Sequence, residues 1–189
     1  MARGNRHAPF VGQAACTFAL MFSRALRALN HLLLIAAGPG LAAAAPPVYK
    51  TYHNLRFGYR IDYPADLRPA SEADNRDGRR FVSADGHTVL TAYAGYLVLE
   101  GGLDAERAIA RRAWRQQQAT ITLDQRTRTG PGFVLSGQVK GMIFYERTVL
   151  NGNTRTTFRW EYPAARKALM DGFIWHTLQT LHPGGTGRE

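Results

Sequence analysis

The 189-residue chain predicts an α+β domain in which a mostly antiparallel sheet carries helices on both faces, an α/β/α sandwich. Three observations carry that prediction. Short segments alternate apolar and polar residues with period two, the pattern of strands. Asp85-Gly86 and Asn151-Gly152 join neighbouring segments, and such pairs form the tight turns of antiparallel hairpins. Several strands are apolar on both faces, with Ile143, Tyr145 and Val149 against Phe144 and Leu150, so the sheet needs cover on both sides.

Residues 1–44 read as an N-terminal extension and secretion signal, and 45–189 as one domain. Arg24 and Arg27 precede an apolar run that ends in Ala42-Ala43-Ala44-Ala45, the basic flank, apolar core and small-residue cleavage site of a signal peptide. Gly38-Pro39-Gly40 interrupts the run, which is shorter than the roughly 20 residues of a membrane span. Cleavage after Ala44 is favoured, because cutting after Ala45 leaves Pro46 just past the cut. Met21 is an alternative start. A lipid anchor at Cys16 lacks an apolar core before it, and a buried amphipathic helix does not fit Leu32 to Ala37, which is apolar all round. The expected location is periplasmic or secreted, with no stable membrane span after cleavage.

Beyond Pro46-Pro47, Tyr49 to His53 reads as a strand, and Tyr59, Ile61 and Tyr63 share one face of a second, ended by Pro64. Residues 65–79 are polar and read as a surface loop. Arg80 to Ser83 and His87 to Tyr93 form a hairpin through Asp85-Gly86. Gly101-Gly102 opens a helix from about Leu103 to Gln118, with Asp104 or Glu106 at its positive end and Ala105, Ala108, Ile109 and Ala113 as its apolar side. Strands are expected over Thr120–Arg126, Phe133–Lys140, Met142–Leu150 and Thr154–Glu161. Tyr162-Pro163 introduces a last helix, Ala164 to about Leu181, with an apolar stripe of Met170, Ile174, Leu178 and Leu181 that Phe173 widens.

The formal charge is +10; four arginines and no acid precede residue 45, which leaves the predicted mature part at +6. The excess is mostly arginine, as a GC-rich coding sequence alone would produce, although a positive field also concentrates anions. The single cysteine, Cys16, lies in the leader, so the mature part forms no disulfide and no thiolate metal site.

The run Asn54 to Pro64, the Asp77-Gly78-Arg79 segment followed by Phe81, the strands around Ser136-Gly137 and Ile143 to Arg147, and Tyr162-Pro163 before the last helix together resemble PsbP-like domains. The similarity spans nearly all of residues 49–181. The resemblance implies the fold of the extrinsic PsbP subunit of photosystem II and of a small Ran-binding nuclear import factor, and a noncatalytic binding or assembly-supporting role. It supplies no catalytic residue and, being a match at domain level, no photosynthetic function.

The chemistry legible from residues is sparse. His53, His87, His176 and His182 form no HExxH or HxH pattern, and the last two lie about 240° apart on a helix. Leu135-Ser136-Gly137 lacks the glycine a nucleophile elbow needs, since Val134 stands there. Asp171 and His176 diverge too far for a dyad, and Gly130-Pro-Gly132 lacks the Gly-Lys of a phosphate loop. No catalytic residue, cofactor or metal is expected.

Two constellations are candidate binding sites. Asp77 and Arg79 with Tyr145 and Arg147 form either a polar cleft or a hydrogen-bond network that pins a loop. Arg107, Arg111 and Arg115, with Arg112 alongside, form either a contact surface or a solvated helix face. The expected function is that of an exported, noncatalytic binding or accessory domain of the bacterial envelope, meeting an envelope protein or an anionic surface. The alternatives are an anion- or membrane-surface module built on the arginine face, and a hydrolase with an unrecognised site. Nucleic acid is not an expected partner, because the aromatics do not interleave with the arginines as a stacking platform requires.

Overall fold

Alternating aromatics build the first sheet. In the computed structural model, which describes residues 45–97 and 101–184, β1 (Tyr49–His53) pairs antiparallel with β2 (Arg60–Pro64). These strands stand apart as a two-stranded sheet, whereas the sequence expectation was a single sheet. They bury Tyr52, Ile61 and Tyr63, with Tyr59 just before β2. The predicted leader lies outside the described residues.

The main sheet has seven antiparallel strands. They are β3 (Arg68–Pro69), β4 (Gly78–Val82), β5 (Val89–Tyr96), β6 (Thr120–Arg126), β7 (Gly132–Val139), β8 (Met142–Asn151) and β9 (Thr154–Pro163). Their spatial order is β3-β4-β5-β9-β8-β7-β6. The β4–β5 hairpin turns at Gly86 (φ 76°) and the β8–β9 hairpin at Gly152 (φ 54°), the positive φ values that Asp-Gly and Asn-Gly turns require. Segment 65–79 is less of a loop than expected. It contains β3, and Ala70 and Ala73 extend the ladder by donating to the Arg80 and Gly78 carbonyls.

α1 (Gly102–Gln116) presents a different face from the one predicted. Ala108 and Ile109 are exposed, and Ala105 and Ala113 are half-buried. Glu106 and Trp114 are buried, flanked by Leu103 and Ala110. The Trp114 indole stacks on Phe144 at 3.7 Å between ring centroids. One large ring outweighs a row of small side chains in setting a helix face. α2 (Lys167–Thr180) follows a 3₁₀ turn over Ala164–Arg166 and docks as its stripe predicts. Met170 and Ile174 are buried, while Phe173, Leu178 and Leu181 pack partly buried beside them. No described helix is long and apolar enough to cross a membrane.

Candidate functional site

Strand order separates the first predicted constellation. Asp77 and Arg79 belong to the β4 region, Tyr145 and Arg147 to β8, and β5 and β9 stand between them. Tyr145 and Arg147 do share a face of β8. Burial pushes the Tyr145 phenol up and the Arg147 guanidinium down, and their mutual interaction opposes both shifts. Asp77 is occupied locally, accepting from Asn75 Nδ2 at 2.8 Å.

Arg79 belongs to a different site, an open pocket of about 830 Å³ between the β1–β2 hairpin and residues 72–76. Asn54, almost fully buried, builds it. Its Oδ1 accepts from the Phe57 amide at 2.9 Å, and its Nδ2 donates to the Arg76 carbonyl at 2.9 Å and to the Tyr52 hydroxyl at 3.0 Å. This ties the hairpin to the following segment and holds Arg76 at φ 52°, a left-handed conformation unusual for a side-chain-bearing residue. Tyr52 donates to Glu72 Oε1 at 2.9 Å. Arg79 Nη2 lies 3.8 Å from Glu72 Oε2, with its guanidinium 5.6 Å from the Tyr52 ring centroid. Arg79 Nε is buried with no hydrogen-bond acceptor. Burial raises the Tyr52 pKa, Asn54 opposes that, and the Glu72 carboxylate adds to it. The pocket thus presents Glu72 and Asp74 against Arg56, Arg76 and Arg79, a surface of mixed charge.

The arginine row is partly neutralised from within. Arg107 Nε lies 2.5 Å from Asp124 Oδ1, and Arg111 Nε lies 2.9 Å from Asp124 Oδ2. Sequence spacing assigned Arg111 no acidic neighbour; β6 brings one from another element. Arg126 of β6 pairs with Asp104 of α1 in the same way. Arg112 and Arg115 are exposed and form no ion pair among the described residues.

A third cluster was missed at the sequence level. Glu146 of β8, fully buried, faces Arg159 of β9. Its Oε2 accepts from Arg159 Nε at 2.9 Å and from Trp114 Nε1 at 3.2 Å, and lies 2.7 Å from Arg159 Nη2. The guanidinium lies over the Trp114 ring, 4.5 Å from its centroid. Burial works against the charge on Arg159, yet the Glu146 carboxylate overcomes it and raises the pKa. Tyr93, on the same side of the sheet, is raised by burial and then by Glu146. Buried Glu106 lies 3.2 Å from Arg155 Nε, close enough for charge pairing but not aligned for a hydrogen bond. The one available signal was a glutamate on the same strand face as the apolar Phe144 and Leu150.

Ser136, Asp171 and His176 each engage a neighbouring group. Ser136 lies in mid-strand and donates to the Phe144 carbonyl at 2.8 Å. Asp171 pairs with Lys167. His176 is not a free surface histidine: it stacks on Tyr49 at 3.5 Å, and its Nε2 lies 3.1 Å from Asp62 Oδ2.

No family model matches the chain, and none of the curated proteins matches it. Among solved structures, it is similar to the cyanobacterial PsbP (CyanoP) of Synechocystis sp. PCC 6803. The TM-score is 0.56 at 11% identity, over 79% of this chain and 98% of that one. A structure from Bacteroides thetaiotaomicron VPI-5482 also matches, with TM-score 0.41 and 15% identity over 69% of this chain and 47% of that one. The fold is PsbP-like.

Proposed function

We propose that the chain is an exported, noncatalytic binding domain of the bacterial envelope that acts as an accessory to a protein partner. The PsbP-like fold, shared along nearly the whole cyanobacterial PsbP chain, carries the accessory reading. The leader pattern before Pro46 carries export. Helices on opposite faces complete the architecture. In support, α1 packs on Phe144, whereas α2 joins the cluster containing Trp160, with Tyr145 beside it; Phe144 and Tyr145 are neighbours on β8 and so point to opposite sides.

The pocket bounded by Tyr52, Glu72 and Arg79 is the proposed contact site. Its mixed charge suits a polar protein segment, and Leu55 at its rim is 95% exposed. A photo-crosslinking residue at position 55 of the full chain, expressed in cells, tests this. One envelope protein should be captured, and Glu72→Ala/Arg79→Ala should reduce its capture. Capture unaffected by that double change places the contact elsewhere.

Arg112 and Arg115 favour a second reading, contact with an anionic surface, because they project from α1 without acidic partners among the described residues. Binding of the full chain to anionic liposomes should fall in Arg112→Ala/Arg115→Ala at low salt, and for wild type should fall steeply as salt screens the charges. Equal binding by both proteins leaves this face merely solvated.

A further inference from the structure

Strand register assembles a second polar site on the sheet. Arg80 of β4 stands opposite Thr91 of β5, and Thr91 stands opposite Arg159 of β9. Directly paired residues project to the same face, so the two arginines flank the threonine with their backbones about 10 Å apart. An open cleft of about 460 Å³ lies over them, lined also by Tyr93 and by Gly78.

We propose that this cleft binds an oxyanion, the carboxylate or phosphate group of a small ligand, between Arg80 and Arg159. Arg159 is fixed in advance. Glu146 holds its Nε edge and Trp114 lies against its plane, so little side-chain freedom is lost on binding. Its side chain retains 24% exposure, enough for an edge to reach a ligand. Arg80 is exposed and forms no ion pair among the described residues, so it supplies the uncompensated positive charge. Thr91 adds a hydroxyl between them.

The acidic groups nearby are accounted for. Glu146 is committed to Arg159 and Trp114. Asp77 lies at the rim with its carboxylate held by Asn75. Glu161, two residues beyond Arg159 on the same face of β9, adds to the field that keeps Arg159 charged. Carboxylate and phosphate oxygens both accept paired hydrogen bonds from the planar guanidinium, which favours this ligand class over a neutral one.

Amide chemical shifts of the full chain, titrated with succinate and separately with inorganic phosphate at constant ionic strength, test the proposal. Saturable shifts should centre on Gly78, Arg80, Thr91 and Tyr93, and the arm that saturates identifies carboxylate or phosphate as the source. Arg80→Ala should weaken binding at least about tenfold, since a lost charged hydrogen bond costs that much. Thr91→Val should weaken it less, and Arg128→Ala, an equal change of charge on a distant exposed turn, should leave it unchanged. Well-dispersed spectra of Arg80→Ala separate lost binding from lost folding. Wild-type affinity in a folded Arg80→Ala, equal losses in Arg80→Ala and Arg128→Ala, or no saturable shift with either anion overturns the proposal.

Discussion

Arg159 donates from Nε to Glu146 Oε2 at 2.9 Å across adjacent central strands, and Trp114 of α1 donates to the same oxygen. A buried carboxylate is tolerated only when paired and hydrogen-bonded. Glu146 therefore joins three elements at once. Removing either charged partner strands the other: Arg159→Ala or Glu146→Ala should cost about 3–5 kcal/mol. The double change Glu146→Leu/Arg159→Met, which leaves no orphan charge, should recover much of that loss. Urea unfolding of the four proteins checks it, and additive losses in the double variant contradict it.

Gly78 should be intolerant because of space. The sequence places Gly78 in a surface loop, but this residue opens β4 and its φ is not positive. A Cβ there would lie 2.2 Å from the Ala92 carbonyl oxygen. Gly78→Ala should cost about 1–3 kcal/mol or more. Gly86→Ala, at φ 76° with open space around it, should cost about 1–2 kcal/mol from backbone strain alone. Melting temperatures in the reverse order contradict this assignment.

What the sequence made legible was local. Asp-Gly and Asn-Gly set two hairpins because few other pairs accept their turn geometry. The α2 stripe was visible because one face of a helix repeats in sequence. Long-range pairing left no such mark. Neither the separation of β1–β2 from the main sheet nor the β5–β9 pairing follows from local pattern, and the pairing of Thr91 with Arg159 depends on it. Arg111 looked unrelieved because its partner, Asp124, arrives from β6. On α1, three alanines and Ile109 suggested a face that a single tryptophan overrides.

The α2 stripe yields a paired test. Ile174 is 6% exposed and Gln179 lies outside. Ile174→Ala should cost about 2–5 kcal/mol. Gln179→Ala should change stability by less than about 0.5 kcal/mol. Similar losses for both contradict the docking of this helix.

Alkaline unfolding should report the buried tyrosines. Burial, and next the Asp171 carboxylate, push the Tyr162 phenol from 10.0 up to about 12. The folded-state value lies above the unfolded one, so the stabilisation is fully present below pH 10 and is lost as pH rises through about 12. Tyr59 and Tyr93 shift in the same direction, burial being the first cause in each. Tyr162→Phe should flatten the fall in stability between pH 10 and 12. An unchanged slope in urea midpoints across that range contradicts it.

Export is the premise on which the envelope role rests, and N-terminal sequencing of the protein recovered from the extracytoplasmic fraction tests it most directly. The mature chain should begin at Ala43, Ala44 or Ala45, at the small residues that follow the apolar core. A cytoplasmic product that keeps its leader contradicts the proposed function.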